Sequence, residues 1–387
     1  MPKDSQVNEP RLVEHAPEES IEDAKMAFPR VKERTENGIT ILAPANGKYI
    51  RRVMFINVSG GRKTWEDIKA GVLPSNRLWG CIQLVQQGYE VAVIEALPDF
   101  YWHRNPFPHD LKLWKFVEHW LGKEGIVYCA HNTLYWLAAL RRWRLLKCRI
   151  VSLLYAREPL NWSTGHDAVI ALTPSAAKHV SLLAPKVQVD CLAWGMDLSF
   201  LPLLPYTPGH FLACGRTHRD VHTLQKAAIE TEICIRIVDH DGLDRSSWPK
   251  NVSFLDGGPG WERRLSYQDL VYQEYSRASA SLIIVNQDPE EETACGFTGT
   301  IEAMALGRPM ITTQTGAAPS ELNIDSIGCG IFVPPEDHTA IAEAMDYLAA
   351  NPEKAAEMGR RGRKAVEERY NIERFGNDLH RFFESLG

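Results

Sequence analysis

Residues 295–321 read CGFTGTIEAMALGRPMITTQTGAAPSE, an order that predicts a loop, a helix, a short buried strand and a second loop. Gly296 and Gly299 permit tight backbone turns ahead of a helix that we expect from residue 301 onward, and Gly307 would end that helix. A loop that leads into a helix presents backbone N–H groups at the positive end of the helix dipole. The stretch therefore predicts a phosphate-binding turn.

Glu302 lies just inside the predicted helix, where its carboxylate could accept two hydrogen bonds from a ribose diol. Taken alone, a glycine-rich turn before a helix is a weak signal, because most such turns only connect a strand to a helix. The place of this stretch within the whole chain has to decide its role.

The composition limits the classes of protein that fit. A chain of 387 residues is too long for one ordinary core, so two domains are expected. A net charge of -6 argues against nucleic acid as a partner. The eight cysteines form no CxxC pair, which predicts reduced core thiols rather than zinc ligands or disulfides. Without a signal peptide or an apolar run of about 20 residues, we expect a cytoplasmic protein that could touch the inner face of the membrane peripherally.

The first half of the chain repeats one theme after a mixed-charge segment, residues 1–36, which we expect to be a flexible tail. Short continuous apolar runs alternate with helical sequence such as residues 76–87. The runs occupy residues 39–43, 52–59, 88–95, 125–131, 148–155 and 167–173. Runs without polar alternation are typical of a parallel sheet covered on both faces, so residues 37–203 are predicted to form a doubly wound α/β domain.

A proline-rich linker near residues 201–209 separates this half from a second domain of the same class, residues 204–370. Its predicted strands are residues 211–214, 233–238, 252–255, 281–285, 310–313 and 330–333. Residues 371–387 form a C-terminal helix that could return to the first domain. Two such domains leave a cleft between the carboxyl ends of two sheets, where ligands usually bind.

Four segments of the second half, taken in order, resemble the retaining glycosyltransferase family 4, within the glycosyl transferases group 1. They are AWGMDLSF at 193–200, CGRTHRDVHTL at 214–224, residues 296–309, and IGCGIFVPPED at 327–337. The resemblance covers about residues 165–380 and is looser in the first domain. It implies the GT-B fold, in which two Rossmann-like domains face each other across a cleft, the first on the acceptor side and the second binding a nucleotide-sugar.

The resemblance also implies the reaction. A sugar would pass from an NDP-sugar, with UDP favoured, to an unidentified glycan, lipid-linked or small-molecule acceptor. Retention of the anomeric configuration is expected, with the leaving phosphate taking the acceptor proton and no cofactor or metal. Arg216 and Arg219 would then stabilise the negative charge that builds up on the leaving β-phosphate, and both are predicted to be catalytic.

The donor site implied by the resemblance combines backbone donors with one carboxylate. Its members are Gly215, Gly296, Phe297, Thr298, Gly299 and Thr300 around the diphosphate, and Glu302 on the ribose. The pattern departs from the family at Ala294, where the first glutamate of the two-glutamate donor motif is expected. Residues 290–292 are all glutamates and either replace it or form a solvated loop. Recognition of the donor sugar is therefore the property that the family resemblance predicts least.

First-domain candidates follow the carboxyl ends of predicted strands. Gly60 and Gly61 resemble the family's glycine loop, which lets acceptor and diphosphate approach, although an ordinary tight turn would read the same. His131 corresponds to a histidine that contacts the donor sugar, and its alternative is a capping or surface group. Arg157 and Glu158 are predicted acceptor contacts on the same edge.

Two alternatives stay open. Residues 135–147 contain basic residues and tryptophans that suit a membrane surface, but their four cations do not gather on one helical face, which favours a connecting helix. On the same fold, the chain could instead be a nucleotide-sugar epimerase or a non-catalytic nucleotide-sugar-binding protein.

Overall fold

The computed structural model describes residues 31–57, 61–95, 115–130, 135–154, 165–216, 218–239, 242–257, 265–286, 295–314 and 322–387. Within these ranges the chain forms two sheets flanked by helices. The first sheet has strands β1 (Val31–Glu36), β2 (Ile39–Pro44), β3 (Arg51–Asn57), β4 (Tyr89–Glu95), β5 (Ile126–Ala130), β6 (Arg149–Leu154), β7 (Ala168–Ala171) and β8 (Gln188–Cys191).

Strand order in the first sheet is β1-β2-β4-β3-β5-β6-β7-β8. β3 to β8 are parallel, and the β1–β2 and β2–β4 pairs are antiparallel. The central strands are almost completely buried because helices cover both faces, which accounts for their unbroken apolar runs.

The second sheet is wholly parallel among the described strands, in the order β11-β10-β9-β12-β13-β14. Its strands are β9 (His210–Ala213), β10 (Ile235–Asp239), β11 (Val252–Asp256), β12 (Ala278–Ile283), β13 (Met310–Thr313) and β14 (Gly330–Val333). The prediction of two doubly wound parallel-sheet domains is therefore confirmed.

Residues 115–121 are helical and precede β5, and the other described helices mostly alternate with the strands. They are α1 (Arg62–Lys69), α2 (Cys81–Gln86), α3 (Tyr135–Arg142), α4 (Pro174–Leu183), α5 (Val221–Glu230), α6 (Tyr267–Asp269), α7 (Phe297–Ala305), α8 (Ile324–Ile327), α9 (His338–Ala350), α10 (Pro352–Arg369) and α11 (Ile372–Ser385). None of the helices in the described ranges is long and apolar enough to span a bilayer.

Residues 31–36 correct the predicted tail of residues 1–36, because they form β1 and pair antiparallel with β2. The connecting turn has φ of 51° at Asn37 and 81° at Gly38, the positive values that a tight hairpin turn uses. β1 is an edge strand with half-exposed, mostly polar side chains. Its weak apolar signal reflects that edge position.

Residues 76–87 are a second correction, because the predicted single helix is broken. A 3-10 turn, Ser75–Leu78, precedes α2, and the chain turns between them at Trp79 and Gly80, which both have positive φ. The Trp79 ring stacks on Trp194 at 4.4 Å between centroids. A contact with a distant part of the chain therefore overrides the local helical pattern.

The polypeptide crosses between the domains twice, and the two crossings are hydrogen-bonded to each other. Met196 N–H donates to the Tyr370 carbonyl at 2.7 Å, and Ile372 N–H donates to the Met196 carbonyl at 2.9 Å. A Cβ on Gly195 would lie 2.0 Å from the Asn371 carbonyl oxygen, so this close approach requires glycine. The crossings together form one junction.

After the second crossing, α11 packs on the first domain. Phe375, Leu379 and Phe383 are completely buried there, in the same apolar cluster as residues of α2 and β3. The Arg51 side chain donates to the Phe383 carbonyl at 2.9 Å. The last helix of the chain is therefore part of the first domain's core.

Candidate functional site

The turn before α7 has the geometry of an anion-binding helix start. Gly296 is the N-cap residue of α7 and has φ of 77°. A Cβ there would meet Ile283 at 2.8 Å, so both backbone angle and space require glycine. As a glycine, Gly296 adds no side chain at the start of α7, where the first N–H groups have no partner within the helix.

Arg219 lies directly against this glycine-rich turn. A Cβ on Gly215, which has φ of 122°, would lie 1.8 Å from its Nη2 atom, and Cβ atoms on Gly296 and Gly299 would lie 3.6 Å from its terminal nitrogens. Gly215 therefore leaves the space that the guanidinium occupies, and Gly296 and Gly299 lie in contact distance of it. The Nη2 atom donates to the Cys214 carbonyl at 3.1 Å.

The Arg219 charge is only partly compensated. Its Nε and Nη1 atoms are buried and have no hydrogen-bond partner among the described residues. Burial lowers the pKa of its guanidinium, and the negative potential of groups such as Cys214 and Glu302 opposes that shift. Buried donors without partners are rare in proteins and costly, so a ligand with acceptor oxygens fits this position.

Arg216 lies on the same loop and is exposed. It lines, together with Gly215, Arg219 and Asp220, a small cavity of about 50 Å³ at the carboxyl ends of β9 and β10. Both predicted cations therefore stand at the cleft edge of the second sheet, one buried beneath the turn and one open to solvent.

Glu302 is the sixth of the nine residues of α7 and is buried, with 7% of its surface exposed. The Tyr267 hydroxyl donates to its Oε1 atom in a short hydrogen bond. Arg77 Nη2 lies 3.8 Å from the same oxygen, and the Arg77 guanidinium lies 5.2 Å from the centre of the Tyr267 ring. The predicted ribose carboxylate is thus held in place by two residues that the sequence did not single out.

Arg77 comes from the first domain, in the 3-10 turn Ser75–Leu78, so its contact with Glu302 spans the cleft. Burial opposes its charge, but the negative potential of Tyr267 and Glu302 outweighs burial and raises the pKa of the Arg77 guanidinium. The turn is held by Asp197, whose carboxylate accepts from Ser75 N–H at 2.9 Å. No sequence pattern links Arg77 or Tyr267 to Glu302: Arg77 meets Glu302 only once the domains have packed, and Tyr267 lies 35 residues away within the second domain.

The other predicted donor residues lie around the start of α7. Phe297 and Thr300 are buried, and Thr298 is half-buried. In the first domain, Gly61 caps α1 just beyond the carboxyl end of β3, with extended backbone at φ −92°. Gly60, His131, Arg157, Glu158, Ala294 and the three glutamates 290–292 lie outside the described residues. The structure therefore gathers the second-domain half of the predicted site.

An Asp-x-Asp sequence occurs at residues 239–241, the pattern that metal-using transferases employ, and the sequence-based site left it out. The Asp239 carboxylate accepts from the backbone N–H groups of Gly242 at 2.8 Å and Leu243 at 3.1 Å, and from Arg245 at 3.1 Å. It thereby organises its own loop. Among the described residues no group of three or more metal-ligating side chains comes together.

Comparison with known proteins places this geometry in a fold class. Residues 298–365 match the family model described as Glycosyl transferases group 1. Sucrose-phosphate synthase from Thermosynechococcus elongatus superposes with a TM-score of 0.61 at 17% identity, covering 87% of this chain and 99% of that one. An α,α-trehalose-phosphate synthase (UDP-forming) from Burkholderia vietnamiensis gives 0.64 at 10% identity, with the same coverage of both chains.

A curated relative shares more of the sequence. D-rhamnosyltransferase WbpZ of Pseudomonas aeruginosa is 30% identical over 241 residues, which cover 56% of this chain and 58% of that relative. The match thus spans little more than half of the relative's length. The chain has the GT-B fold of glycosyltransferases, and the family match falls on α7 to α10, the part of the site that holds Glu302. The narrower resemblance to family 4 stays a prediction.

Proposed function

We propose that this protein transfers a sugar from a nucleoside diphosphate sugar to an acceptor, with retention of the anomeric configuration. The observation that carries the proposal is the buried guanidinium of Arg219. It lies beneath three glycines at a helix N-terminus, with two nitrogens that lack partners in the described part of the chain. A diphosphate supplies the acceptor oxygens that this arrangement lacks.

In the proposed reaction the bond between the sugar C1 atom and the β-phosphate oxygen breaks, and a bond from C1 to an acceptor oxygen forms. The acceptor's hydroxyl proton passes to the departing phosphate, so no protein base is needed. Negative charge grows on the β-phosphate, where Arg219 and the N–H groups at the start of α7 stabilise it. Arg216 adds a second cation at the same edge.

Glu302 completes the proposed donor site by accepting hydrogen bonds from the ribose hydroxyls. Its contacts with Tyr267 and Arg77 fix the carboxylate before the nucleotide arrives, which lowers the entropy lost on binding. The UDP-forming activity named for the structurally similar trehalose-phosphate synthase supports a uridine nucleotide. The identity of the acceptor is left open among glycans, lipid-linked sugars and small molecules.

Glu302→Ala tests the ribose assignment by titration calorimetry with UDP. We expect binding to disappear, because the variant loses the acceptor for both ribose hydroxyls. Glu357→Ala is the matched control, since it removes an exposed carboxylate on α10 that pairs with Arg361. Unchanged UDP affinity in Glu302→Ala would refute the ribose assignment.

Incubation with a panel of NDP-sugars separates the three functions that this fold can support. A transferase releases nucleotide slowly through hydrolysis of the donor, and retention is read from the anomeric proton of the released sugar or product. Inversion of the sugar without nucleotide release would indicate an epimerase. Binding without any turnover, with and without candidate acceptors, would indicate a non-catalytic nucleotide-sugar-binding protein.

A further inference from the structure

The edge of the first sheet opposite the cleft collects several loops. In a parallel sheet all strands begin at the same edge, and here each connection from a helix back to a strand ends there. The segments that lead into β3, β5, β6 and β8 therefore lie side by side. We call the surface that they form the amino-edge surface, and it comprises residues 49–50, 123–124, 141–147 and 182–187.

The amino-edge surface exposes large apolar side chains. Trp143 is 68% exposed, Leu182 71% and Ile50 62%. Among the described residues, eleven large apolar side chains are exposed, and six of them belong to this surface: Tyr49, Ile50, Trp143, Leu145, Leu182 and Leu183. Single exposed apolar residues are ordinary, but this concentration on one edge indicates a surface that meets something apolar.

Cations alternate with these apolar residues. Residues 141–147 read RRWRLLK, and the whole surface contains six Lys or Arg residues and one acidic residue, Glu124. Arg141 forms a bidentate ion pair with Asp167, at 2.7 Å from Nη2 and 2.9 Å from Nε. That pair neutralises Asp167, and Glu118, which accepts from the Lys147 backbone N–H at 3.1 Å, is a further acidic side chain beside this surface.

The remaining cations point outward around an open groove of about 610 Å³. Lys123, Arg142, Arg144 and Lys147 line it and are all exposed, and Lys186 is exposed on the next segment. The protein as a whole carries a net charge of -6, so this positive surface opposes the general charge of the molecule. A partner that carries negative charge above an apolar layer matches both properties.

We propose that the amino-edge surface docks on an anionic lipid bilayer. Tryptophan and leucine side chains enter the boundary between headgroups and acyl chains, and the Arg and Lys side chains pair with lipid phosphates. Neither interaction needs a membrane-spanning helix. Because this surface lies at the opposite edge from Gly61 and the cleft, the docked protein keeps its cleft open to water. The proposal is independent of the sugar-transfer reaction.

Co-sedimentation of the full chain with vesicles tests the proposal. One set contains phosphatidylglycerol and phosphatidylcholine in equal parts, and the other contains phosphatidylcholine alone. We expect binding to the anionic vesicles that weakens as salt is added, and little binding to the neutral ones. Wild-type protein that stays in solution with both sets overturns the proposal.

A triple variant tests the cations. Replacing Arg142, Arg144 and Lys147 with Gln should weaken anionic-vesicle binding roughly tenfold to a hundredfold, as expected for three charges near a lipid surface. The matched control replaces Lys354, Arg360 and Lys364 on α10 with Gln and should bind as wild type does. Equal binding by both triple variants overturns the proposal. Circular dichroism and thermal unfolding check that each variant is folded.

Trp143→Ala tests the contribution of the apolar side chains. Its control is Ile229→Ala, which removes an apolar side chain on α5 that is 65% exposed. We expect weaker vesicle binding only for Trp143→Ala. Light scattering tests whether a second copy of the chain binds this surface instead. A wild-type dimer that Trp143→Ala converts to a monomer would show that the surface joins two copies, and would overturn membrane docking.

Discussion

Arg219 holds a positive charge that the described part of the protein neutralises only in part. Keeping such a charge buried costs free energy, and proteins accept that cost where a ligand supplies the missing partner. We therefore expect Arg219 to contribute to diphosphate binding but little to the stability of the folded state.

Arg219→Met should weaken UDP binding roughly tenfold to a hundredfold, because hydrogen bonds to a charged group contribute about 1.5–3 kcal/mol each. The free energy of unfolding without ligand should stay the same or rise, since methionine needs no partner. Calorimetry with UDP and urea unfolding measure the two quantities.

Uridine and Arg360→Met provide the controls for this prediction. Uridine lacks phosphates, so its affinity should not change in Arg219→Met, and Arg360→Met removes an exposed arginine of α10 that is far in sequence from the site. A large loss of stability in Arg219→Met, with UDP affinity intact, would contradict the phosphate role.

The sequence predicts some site residues better than others, for a physical reason. Gly215 and Gly296 could be found because glycines at strand ends and helix starts are required locally, by backbone angle and space, and Arg219 was implied by the family resemblance. Tyr267 and Arg77 could not be found, since their contacts with Glu302 join segments far apart in the chain and leave no local pattern.

The contact between α11 and α2 shows that a helix can be predicted from local sequence although its packing partner cannot. A Cβ on Gly376 would lie 2.2 Å from the Gln83 Cβ atom, so the two helices meet closer than any side chain at this position allows. The amphipathic pattern of residues 371–387 predicts a helix. The surface that the helix covers depends on the packing of Gly376 against Gln83. A glycine inside a helix does not by itself indicate which partner it packs against.

Gly376→Ala should lower the free energy of unfolding by about 1–3 kcal/mol, the usual cost of overpacking a tight contact. The better helix propensity of alanine offsets this by only about 0.5–1 kcal/mol. Urea unfolding measures the change, with Glu384→Ala on the exposed face of the same helix as control. A Gly376→Ala protein as stable as wild type would show that the helices separate without cost.

The strands also divide into those that the sequence pattern predicts and those that it misses. Strands with continuous apolar runs were predictable, and β2 to β7 and β9 to β14 overlap predicted runs, including the half-exposed edge strands β11 and β14. The two strands that the pattern missed, β1 and β8, lie at the edges of the first sheet and have alternating exposed residues. An edge strand is stabilised by backbone pairing, which the side-chain pattern does not record.

For the whole molecule, nucleotide binding should appear as stabilisation of the fold. UDP at about 100 times its dissociation constant should raise the free energy of unfolding by about 2.7 kcal/mol, and the unfolding temperature by several degrees. A thermal-shift series with UDP, GDP, ADP and TDP measures this. A larger shift with another base would reassign the nucleotide, and no shift with any of them would contradict the nucleotide site.

The return of α11 to the first domain has a consequence for synthesis of the protein. Phe375, Leu379 and Phe383 share an apolar cluster with residues of the chain's early strands and helices, among them Val53, Phe55 and Ile82. A ribosome delivers those early residues long before it delivers the final helix. The core of the first domain is therefore completed only once α11 has been made, and we expect its apolar surface to stay open until then.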